Sequence, residues 1–213
     1  MWIRDAKAIA DRLVEAMRPH CERIEIAGSI RRGCQVVKDI EIVAVPKFAP
    51  DPRPRTLFEV EQINLLHEWA TAGGAAAAGV RWIKTGTAEI VPWTPKADGR
   101  YWRGLVNESV KLDLFLTTPE QWGVIFLIRT GSREFSMGVM TYAGKRTPFR
   151  VEDGCLKDTR GRALETFEEQ DAFDALRLDY VEPPARTGFE AITANGQPVF
   201  GSGSSFKRMG AKR

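Results

Sequence analysis

Apolar residues recur along the chain at spacings that switch between helical and extended patterns. From Ile3 to Met17 they fall every three or four residues, which predicts an amphipathic helix over residues 3–18 that ends before Pro19. A second helix is predicted over residues 57–70. Strands are predicted at residues 23–27, 80–84, 88–93, 101–106 and 110–116. This order indicates an α+β fold, with a mixed sheet and helices on one side.

The C-terminal half carries recognisable helix starts. Thr118 followed by Pro119 combines an N-cap with a proline at the first helical position, which predicts a helix to about Arg129. Gly131 and Ser132 interrupt it, and a further helix is predicted to run on to about residue 145. Thr166 and Glu169 form a capping-box pattern, which predicts another helix to about residue 176.

Two other segments complete this half of the chain. Residues 149–151 and 154–157 predict a small hairpin. Residues 188–213 are polar, rich in Gly and Ser, and end in lysines and arginines, which predicts a flexible basic tail. The GSGSS run within this tail is not a phosphate loop, because no strand is predicted before it and no helix after it.

Composition and charge are those of an ordinary globular protein. The chain has 213 residues, of which 43% are hydrophobic and 28% charged, and its net charge of +3 permits a nucleic-acid partner without requiring one. No apolar run approaches the ~20 residues of a membrane span, so no membrane partner is expected. Cys21, Cys34 and Cys155 are odd in number and have no zinc-site spacing. We therefore expect a soluble intracellular protein with reduced thiols.

The stretch GSIRRGCQVVKDIEIVAV, residues 28–45, concentrates the candidate chemistry. In an extended strand Asp39 and Glu41 share one face, where they repel each other unless a cation lies between them. Just upstream, the Gly28-Ser29 turn can bring backbone N–H groups to an anion, and arginines follow it. A turn that binds anions, next to carboxylates that bind cations, predicts a site for a metal and a nucleotide.

The motif G-S-x-x-R, followed by an acidic pair on a strand, resembles the family X DNA polymerases. The family's Asp-x-Asp begins eleven residues after the glycine, which is the spacing of Gly28 to Asp39, although the second acid here is Glu41. VKLDLFL at 110–116 and LDYVEPPAR at 178–186 are also similar to family segments, and RTGSREF at 129–135 resembles the thumb motif, usually written Y-F-T-G-S. The resemblance implies a nucleotidyltransferase palm at residues 1–118 and a thumb-like subdomain at 119–187, before the tail.

The resemblance also implies roles for individual residues. Asp39, Glu41 and Asp113 would be catalytic and would bind two Mg²⁺ ions, for which Mn²⁺ can substitute. The alternative is that these acids lie on edge strands and face water. The residues assigned to the nucleotide are Gly28, Ser29, Arg32, Arg129, Thr130, Gly131, Ser132 and Arg133. Arg133 is as well explained as a surface charge. Arg129 stands where the family has an aromatic residue that excludes a ribose 2′-hydroxyl, so weakened sugar discrimination is expected.

These features predict a small DNA-directed DNA polymerase of the gap-filling repair type, similar to the reduced polymerases of some viruses. It would act as a monomer on nucleoside triphosphates and primer-template or gapped DNA, adding dNMP to the primer 3′-hydroxyl and releasing pyrophosphate. Only about 27 residues precede the Gly-Ser motif, so lyase activity is not expected.

Two alternatives remain open. One is a template-independent nucleotidyltransferase acting on RNA, a small molecule or a protein, and the other is an inactive nucleotide-binding module. Retention of the three acids, Ser29 and Arg32 argues against the inactive module, and the thumb-like region favours the polymerase over the transferase.

Overall fold

The structure, a computed structural model, describes residues 1–52, 61–87 and 89–200. Up to residue 116 the elements are α1 (Ile3–Met17), β1 (Cys21–Ile26), α2 (Gly28–Arg31), β2 (Asp39–Pro46), β3 (Phe48–Pro50), β4 (Gln62–Asn64), α3 (Leu65–Thr71), α4 (Gly74–Ala77), β5 (Val80–Ile83), β6 (Tyr101–Val106) and β7 (Val110–Leu116). Beyond it they are α5 (Trp122–Thr130), α6 (Arg133–Arg146), β8 (Arg150–Glu152), β9 (Cys155–Lys157), β10 (Ala163–Leu164), α7 (Glu169–Leu176), β11 (Thr193–Ala194) and β12 (Gln197–Pro198).

A five-stranded mixed sheet, in the order β1-β2-β7-β6-β5, forms the centre of the N-terminal part. Strands β2 and β7 pair in parallel, and the other neighbouring strands are antiparallel. One face of the sheet carries apolar side chains such as Ile40 and Leu112, which pack against α1 and α3 in a single buried core. The predicted α+β class with a mixed sheet is confirmed.

The other face of the sheet meets the start of α5. Trp122 and Phe126 on that helix pack with Val43 of β2 and Phe115 of β7 in a smaller core. Because side chains alternate across a strand, this is also the face that carries residues 39, 41 and 113. The candidate site therefore lies next to the junction between the sheet and the C-terminal helices.

The C-terminal part has its own core beneath α5, α6 and α7. Its fully buried side chains include Phe135, Leu156 and Phe173. The predicted hairpin at residues 149–157 is present as β8 and β9, to which β10 adds a third strand. No helix in the described ranges is both long and apolar enough to cross a bilayer.

Several predicted boundaries were wrong for local reasons. The helix predicted over residues 57–70 begins only at Leu65, because Asn64 is its N-cap and accepts a hydrogen bond from the His67 N–H at 3.0 Å. Residues 57–60 of that prediction lie outside the described residues. The strand predicted at 88–93 is reduced, among the described residues, to a single bridge between Ile83 and Pro92, and a proline has no N–H to extend such a ladder.

The helices of the C-terminal part also start differently. Pro119 opens a short 3₁₀ turn, and the α-helix begins only at Trp122. The capping box of α7 consists of Glu168 and Asp171 rather than of Thr166 and Glu169. The Thr166 backbone instead pairs with the start of α5, which removes it from the cap.

Residues 188–200, predicted as part of a flexible tail, are folded. Strands β11 and β12 form a hairpin there, and Asp179 accepts hydrogen bonds from the Thr193 hydroxyl and the backbone N–H of Asn195 and Gly196. Ile192 is buried in the core of the C-terminal part. Residues 201–213 of the predicted tail lie outside the described residues.

Candidate active site

The parallel pairing of β2 and β7 brings the three predicted acids together. Glu41 and Asp113 are direct partners in the register of the two strands, and Asp39 lies two residues before Glu41 on the same face. Both strands are interior to the sheet. The acids therefore do not lie on edge strands, and Asp113 is buried.

The pKa of Glu41 is shifted by its position in this cluster. Burial, followed by the negative charges of Asp39 and Asp113, raises the pKa of Glu41 to about 7. Arg32 and Arg129 oppose this shift without cancelling it. Burial and this repulsion favour the protonated form of Glu41, and a cation bound beside it would favour the carboxylate.

The Gly28 turn is packed directly against Glu41. Gly28 has a φ of +61°, and a Cβ atom at this position would lie 1.9 Å from Glu41 Oε2. Glycine is therefore required for two reasons: it adopts the positive φ, and it has no Cβ atom to collide with Glu41. The next side chain, Ser29, has a buried hydroxyl with no hydrogen-bond partner among the described residues. Buried hydroxyls are almost always satisfied, so this atom marks a place where a ligand can bind.

Replacement of Gly28 by alanine tests this contact, with Gly33→Ala as its matched control. Gly33 has a similar φ of +75°, but a Cβ there would meet nothing within 4 Å. Both substitutions should lower the free energy of unfolding by about 1–2 kcal/mol through backbone strain. Only Gly28→Ala should displace the Glu41 carboxylate and reduce catalytic activity, by about a hundred-fold. Equal activity of the two folded variants would show that the position of Glu41 is unimportant.

Asp113 has partners that the sequence did not reveal. Its carboxylate accepts two hydrogen bonds from Arg103, at 2.7 and 2.9 Å, and one from the Tyr101 hydroxyl at 2.7 Å. The bond to Asp113 raises the pKa of Arg103, and burial raises the pKa of Tyr101. Arg103 is the direct partner of Asp113 in the antiparallel register of β6 and β7. Only the strand order could have indicated it.

The two arginines after the turn contact the C-terminal part. Arg32 donates to the Thr130 carbonyl at 2.6 Å, and Arg31 donates to the Thr130 hydroxyl at 2.7 Å. Arg31 also forms a two-pronged salt bridge with Glu169, at 2.7 and 2.8 Å. Arg31 therefore links the turn to the C-terminal part and does not extend into solvent. The remaining N–H groups of Arg32 leave it able to bind a phosphate as well.

The Thr-Gly-Ser bend is held by its own contacts. Ser132 caps α6 by accepting from the Phe135 N–H at 3.0 Å, and its hydroxyl donates to the Thr187 carbonyl at 2.7 Å. A Cβ on Gly131 would lie 2.6 Å from atoms of Phe135 and of Ser136. Arg133 is exposed on the first turn of α6. These contacts give the bend a structural role whatever it binds.

Arg129 lies between the bend and the acids. Its guanidinium stacks over the Phe115 ring at 3.9 Å, and its Nε atom is buried without a hydrogen-bond partner among the described residues. Burial lowers the pKa of Arg129, while the charge of Glu41 opposes that change. Arg129 is thus a cation next to the acidic cluster rather than a flat apolar wall.

Within the described ranges, no three histidine, cysteine or acidic side chains are placed to hold a metal ion. The Asp113 carboxylate already accepts hydrogen bonds from Arg103 and Tyr101. The donor set nevertheless suits a hard divalent cation, because carboxylate oxygens are the ligands that Mg²⁺ and Mn²⁺ prefer. The repulsion that raises the pKa of Glu41 is the kind that such a cation relieves.

The raised pKa of Glu41 predicts a pH-dependent stability in the presence of a chelator. The ordinary carboxyl value is 4.5, so between about pH 5 and about pH 8 the folded protein loses a proton that the unfolded chain has already released. The free energy of unfolding should therefore fall as the pH rises, by about 2–3 kcal/mol relative to Glu41→Gln. Chemical denaturation across this pH range measures the difference. Glu22→Gln, at an exposed position of β1, is the control, and parallel curves for wild type and Glu41→Gln would contradict the prediction.

Comparisons with known proteins support the resemblance over part of the chain. Residues 125–187 match the family model described as DNA polymerase beta thumb. The chain is 35% identical over 77 residues to a DNA nucleotidylexotransferase of Gallus gallus, and 36% identical over 77 residues to one of Xenopus laevis. Each match covers 36% of this chain and 15% of the relative, so the chain matches only a small part of these proteins. Residues 125–187 are therefore similar to the thumb of DNA polymerase beta, and the similarity to family X polymerases covers only part of the chain.

Proposed function

We propose that this chain is a nucleotidyltransferase that acts as a small DNA-directed DNA polymerase of the gap-filling type. It would add dNMP to a primer 3′-hydroxyl and release pyrophosphate. The observation that carries the proposal is the in-register pairing of Glu41 with Asp113, with Asp39 on the same face and the Gly28 turn against Glu41. Nucleotidyl transfer needs clustered carboxylates next to an anion-binding turn, and this arrangement supplies both.

Each residue has a role in that reaction. The Ser29 hydroxyl and the turn backbone would bind phosphate oxygens, together with the free N–H groups of Arg32. Asp39 and Glu41 would hold divalent cations with Asp113, once Asp113 exchanges its bond to Arg103 for a cation. Bound Mg²⁺ or Mn²⁺ would stabilise the triphosphate charge and lower the pKa of the attacking hydroxyl. Asp113 would then orient the 3′-hydroxyl or accept its proton.

A second candidate is template-independent addition of nucleotides to DNA ends. It is favoured by the relatives, both of which carry the name DNA nucleotidylexotransferase. The two candidates share the same acids, so the site does not separate them. They differ in whether a template base is required.

Primer extension with each dNTP separately, on gapped, recessed and single-stranded substrates with Mg²⁺ or Mn²⁺, tests both candidates. If the chain is a template-directed polymerase, it should incorporate the matched nucleotide on gapped and recessed DNA, with little incorporation on single strands. Comparable extension of single strands by unmatched nucleotides would favour the second candidate. No extension of any substrate by folded protein would contradict both.

Sugar selection should be weak in this enzyme. Arg129 replaces a flat ring with a guanidinium that stacks on Phe115, so it presents no apolar surface to C2′ of a nucleotide. Loss of one steric contact changes discrimination by roughly ten- to two-hundred-fold. We expect dNTP to be preferred over rNTP, with ribonucleotide insertion detectable at millimolar concentrations. Steady-state incorporation of matched dNTP and rNTP opposite one template base measures the ratio, and discrimination as strict as that of a dedicated DNA polymerase would refute the role given to Arg129.

A further inference from the structure

A cleft in the C-terminal part lies apart from the acids, between the ends of two helices. It is formed where α6 and α7 both terminate, and it has a volume of about 370 Å³. Clefts of this size suit a small ligand or one unit of a polymer. Because α6 starts at the Thr-Gly-Ser bend and rises about 1.5 Å per residue, its far end is about 20 Å from that bend.

The lining combines an apolar floor with aromatic walls and two arginines. Leu176 is buried and Pro148 is exposed, and the rings of Tyr142 and Phe149 are half-buried where they pack against the core of the C-terminal part. Arg146 and Arg177 line the cleft and are exposed. Neither has an acidic partner in the described part of the chain, and no acid lines the cleft.

The cleft is held in shape by local hydrogen bonds. The Thr147 hydroxyl donates to the Ala143 carbonyl at 2.8 Å and accepts from the Phe149 N–H at 3.1 Å, which fixes the turn after α6. Arg177 caps α7 in the left-handed region, with a φ of 55°. Glycine or asparagine is favoured in that conformation, so an arginine there places a cation at the cleft at some cost in stability.

The favourable position of cations at helix C-termini explains only part of the arrangement of residues around the cleft. Cations near a helix C-terminus interact favourably with its free carbonyl groups, which accounts for two arginines close to the ends of α6 and α7. That interaction does not require an open cleft with aromatic walls between them. Aromatic rings beside unpaired arginines are the combination that binds nucleotides in single strands, by base stacking and by forked hydrogen bonds to phosphate.

We propose that this cleft binds one unpaired nucleotide of a DNA strand. The base would stack against Phe149 and Tyr142, and the neighbouring phosphates would bind Arg146 and Arg177. At a rise of about 3.4 Å per nucleotide, 20 Å corresponds to roughly six nucleotides from the Thr-Gly-Ser bend. A strand that passes the bend and runs along α6 would therefore reach the cleft about six nucleotides away. The proposal does not require that the chain catalyses nucleotidyl transfer.

Fluorescence anisotropy with a labelled oligothymidylate of about twelve nucleotides, without nucleotide or divalent cation, tests the charged contacts. Arg146→Gln/Arg177→Gln should weaken binding by roughly tenfold or more. It should also reduce the slope of log affinity against log salt by about 1.4, since each single-strand phosphate contact contributes about 0.7. Arg12→Gln/Lys84→Gln removes the same charge at exposed positions of the N-terminal part, outside the cleft. An equal loss in both double variants would overturn the proposal.

An abasic strand of the same length tests the stacking contact. The wild type should bind oligothymidylate roughly fivefold or more tighter than the abasic strand. Phe149→Leu should remove most of that difference while leaving abasic binding unchanged, which also shows that the variant is folded. If Phe149→Leu left the preference intact, or if the wild type bound both strands equally, the cleft would bind anions only and the nucleotide proposal would fail. Because no reaction occurs in this assay, its result is independent of the primer-extension result.

Discussion

Replacing Asp113 with asparagine should lower the rate of dNMP incorporation by about a thousand-fold. In the proposed reaction Asp113 binds a cation and orients or deprotonates the attacking hydroxyl, and loss of a positioned acid or base typically reduces rates by about 10²–10⁴-fold. Asparagine keeps the shape of the side chain and one oxygen that can accept from Arg103. It is therefore a better test than alanine, which would remove all of the hydrogen bonds that Asp113 makes.

The loss should not arise from unfolding. The Arg103 side chain is 33% exposed, so water can solvate its charge when the carboxylate is removed. Asp98→Asn, in an exposed loop, is the matched control and should retain full activity. Rates of single-nucleotide extension and thermal denaturation should be measured on all three proteins. A folded Asp113→Asn variant with activity within tenfold of wild type would remove Asp113 from the catalytic centre.

Replacing Glu169 with glutamine should give the largest loss of stability. Glu169 is 6% exposed and lies between Arg31, from the Gly28 turn, and Arg186, whose side chain is fully buried. Arg186 also donates to the Val181 carbonyl at 2.8 Å. Removing the single negative charge leaves two neighbouring guanidinium groups without a counterion. Breaking a buried pair of this kind costs about 3–5 kcal/mol.

A loss of that size should lower the melting temperature by roughly 10 °C for a chain of this length. Burial acts to raise the pKa of Glu169, but the hydrogen bonds from Arg31 and Arg186 outweigh it, so its pKa lies below the usual value. The stabilisation is therefore present above the ordinary pKa of 4.5 and is lost as the pH falls through the lowered value. Glu165→Gln, at an exposed position, is the control. A melting temperature within about 2 °C of wild type at neutral pH would refute the prediction.

The same contacts connect the candidate site to the thumb. Arg31 and Arg32 follow the Gly28-Ser29 turn after one residue, and both donate to Thr130. Arg23 adds a salt bridge to Glu168 and stacks over the Trp122 ring at 4.2 Å. A ligand that binds the turn would therefore act on residues that also hold the C-terminal part in place.

The sequence predicted the local elements and the motif, because both depend on short spacings. The turn at Gly28 and the acidic pair on β2 follow from residues that are close together in the chain. The residues that face these acids from neighbouring strands do not follow from short spacings. The pairing of Glu41 with Asp113 depends on the parallel placement of strands that are 72 residues apart (113 − 41), and the Arg103 contact depends on strand order.

Glu169 illustrates the same limit. Its spacing from Thr166 suggested a capping box, whereas the structure uses it to pair with an arginine 138 residues earlier in the chain. Composition was equally insufficient for residues 188–200. That stretch is largely polar, but a Cβ on Gly138 of α6 would lie 2.5 Å from Ile192 and 2.8 Å from Phe189. Apolar packing against α6, together with the hydrogen bonds to Asp179, holds this stretch in place.

Single-turnover extension of a one-nucleotide gap, with a matched labelled dNTP and Mg²⁺, measures whether the acidic cluster transfers nucleotides. Wild-type protein should convert primer to a product one nucleotide longer and release one pyrophosphate for each addition. Asp39→Asn should bind the same DNA but form product at least about a hundred-fold more slowly, because it lacks a carboxylate of the cluster. Equal rates of product formation by the two folded proteins, or no product from wild type on DNA that it binds, would show that the acidic cluster does not catalyse nucleotidyl transfer.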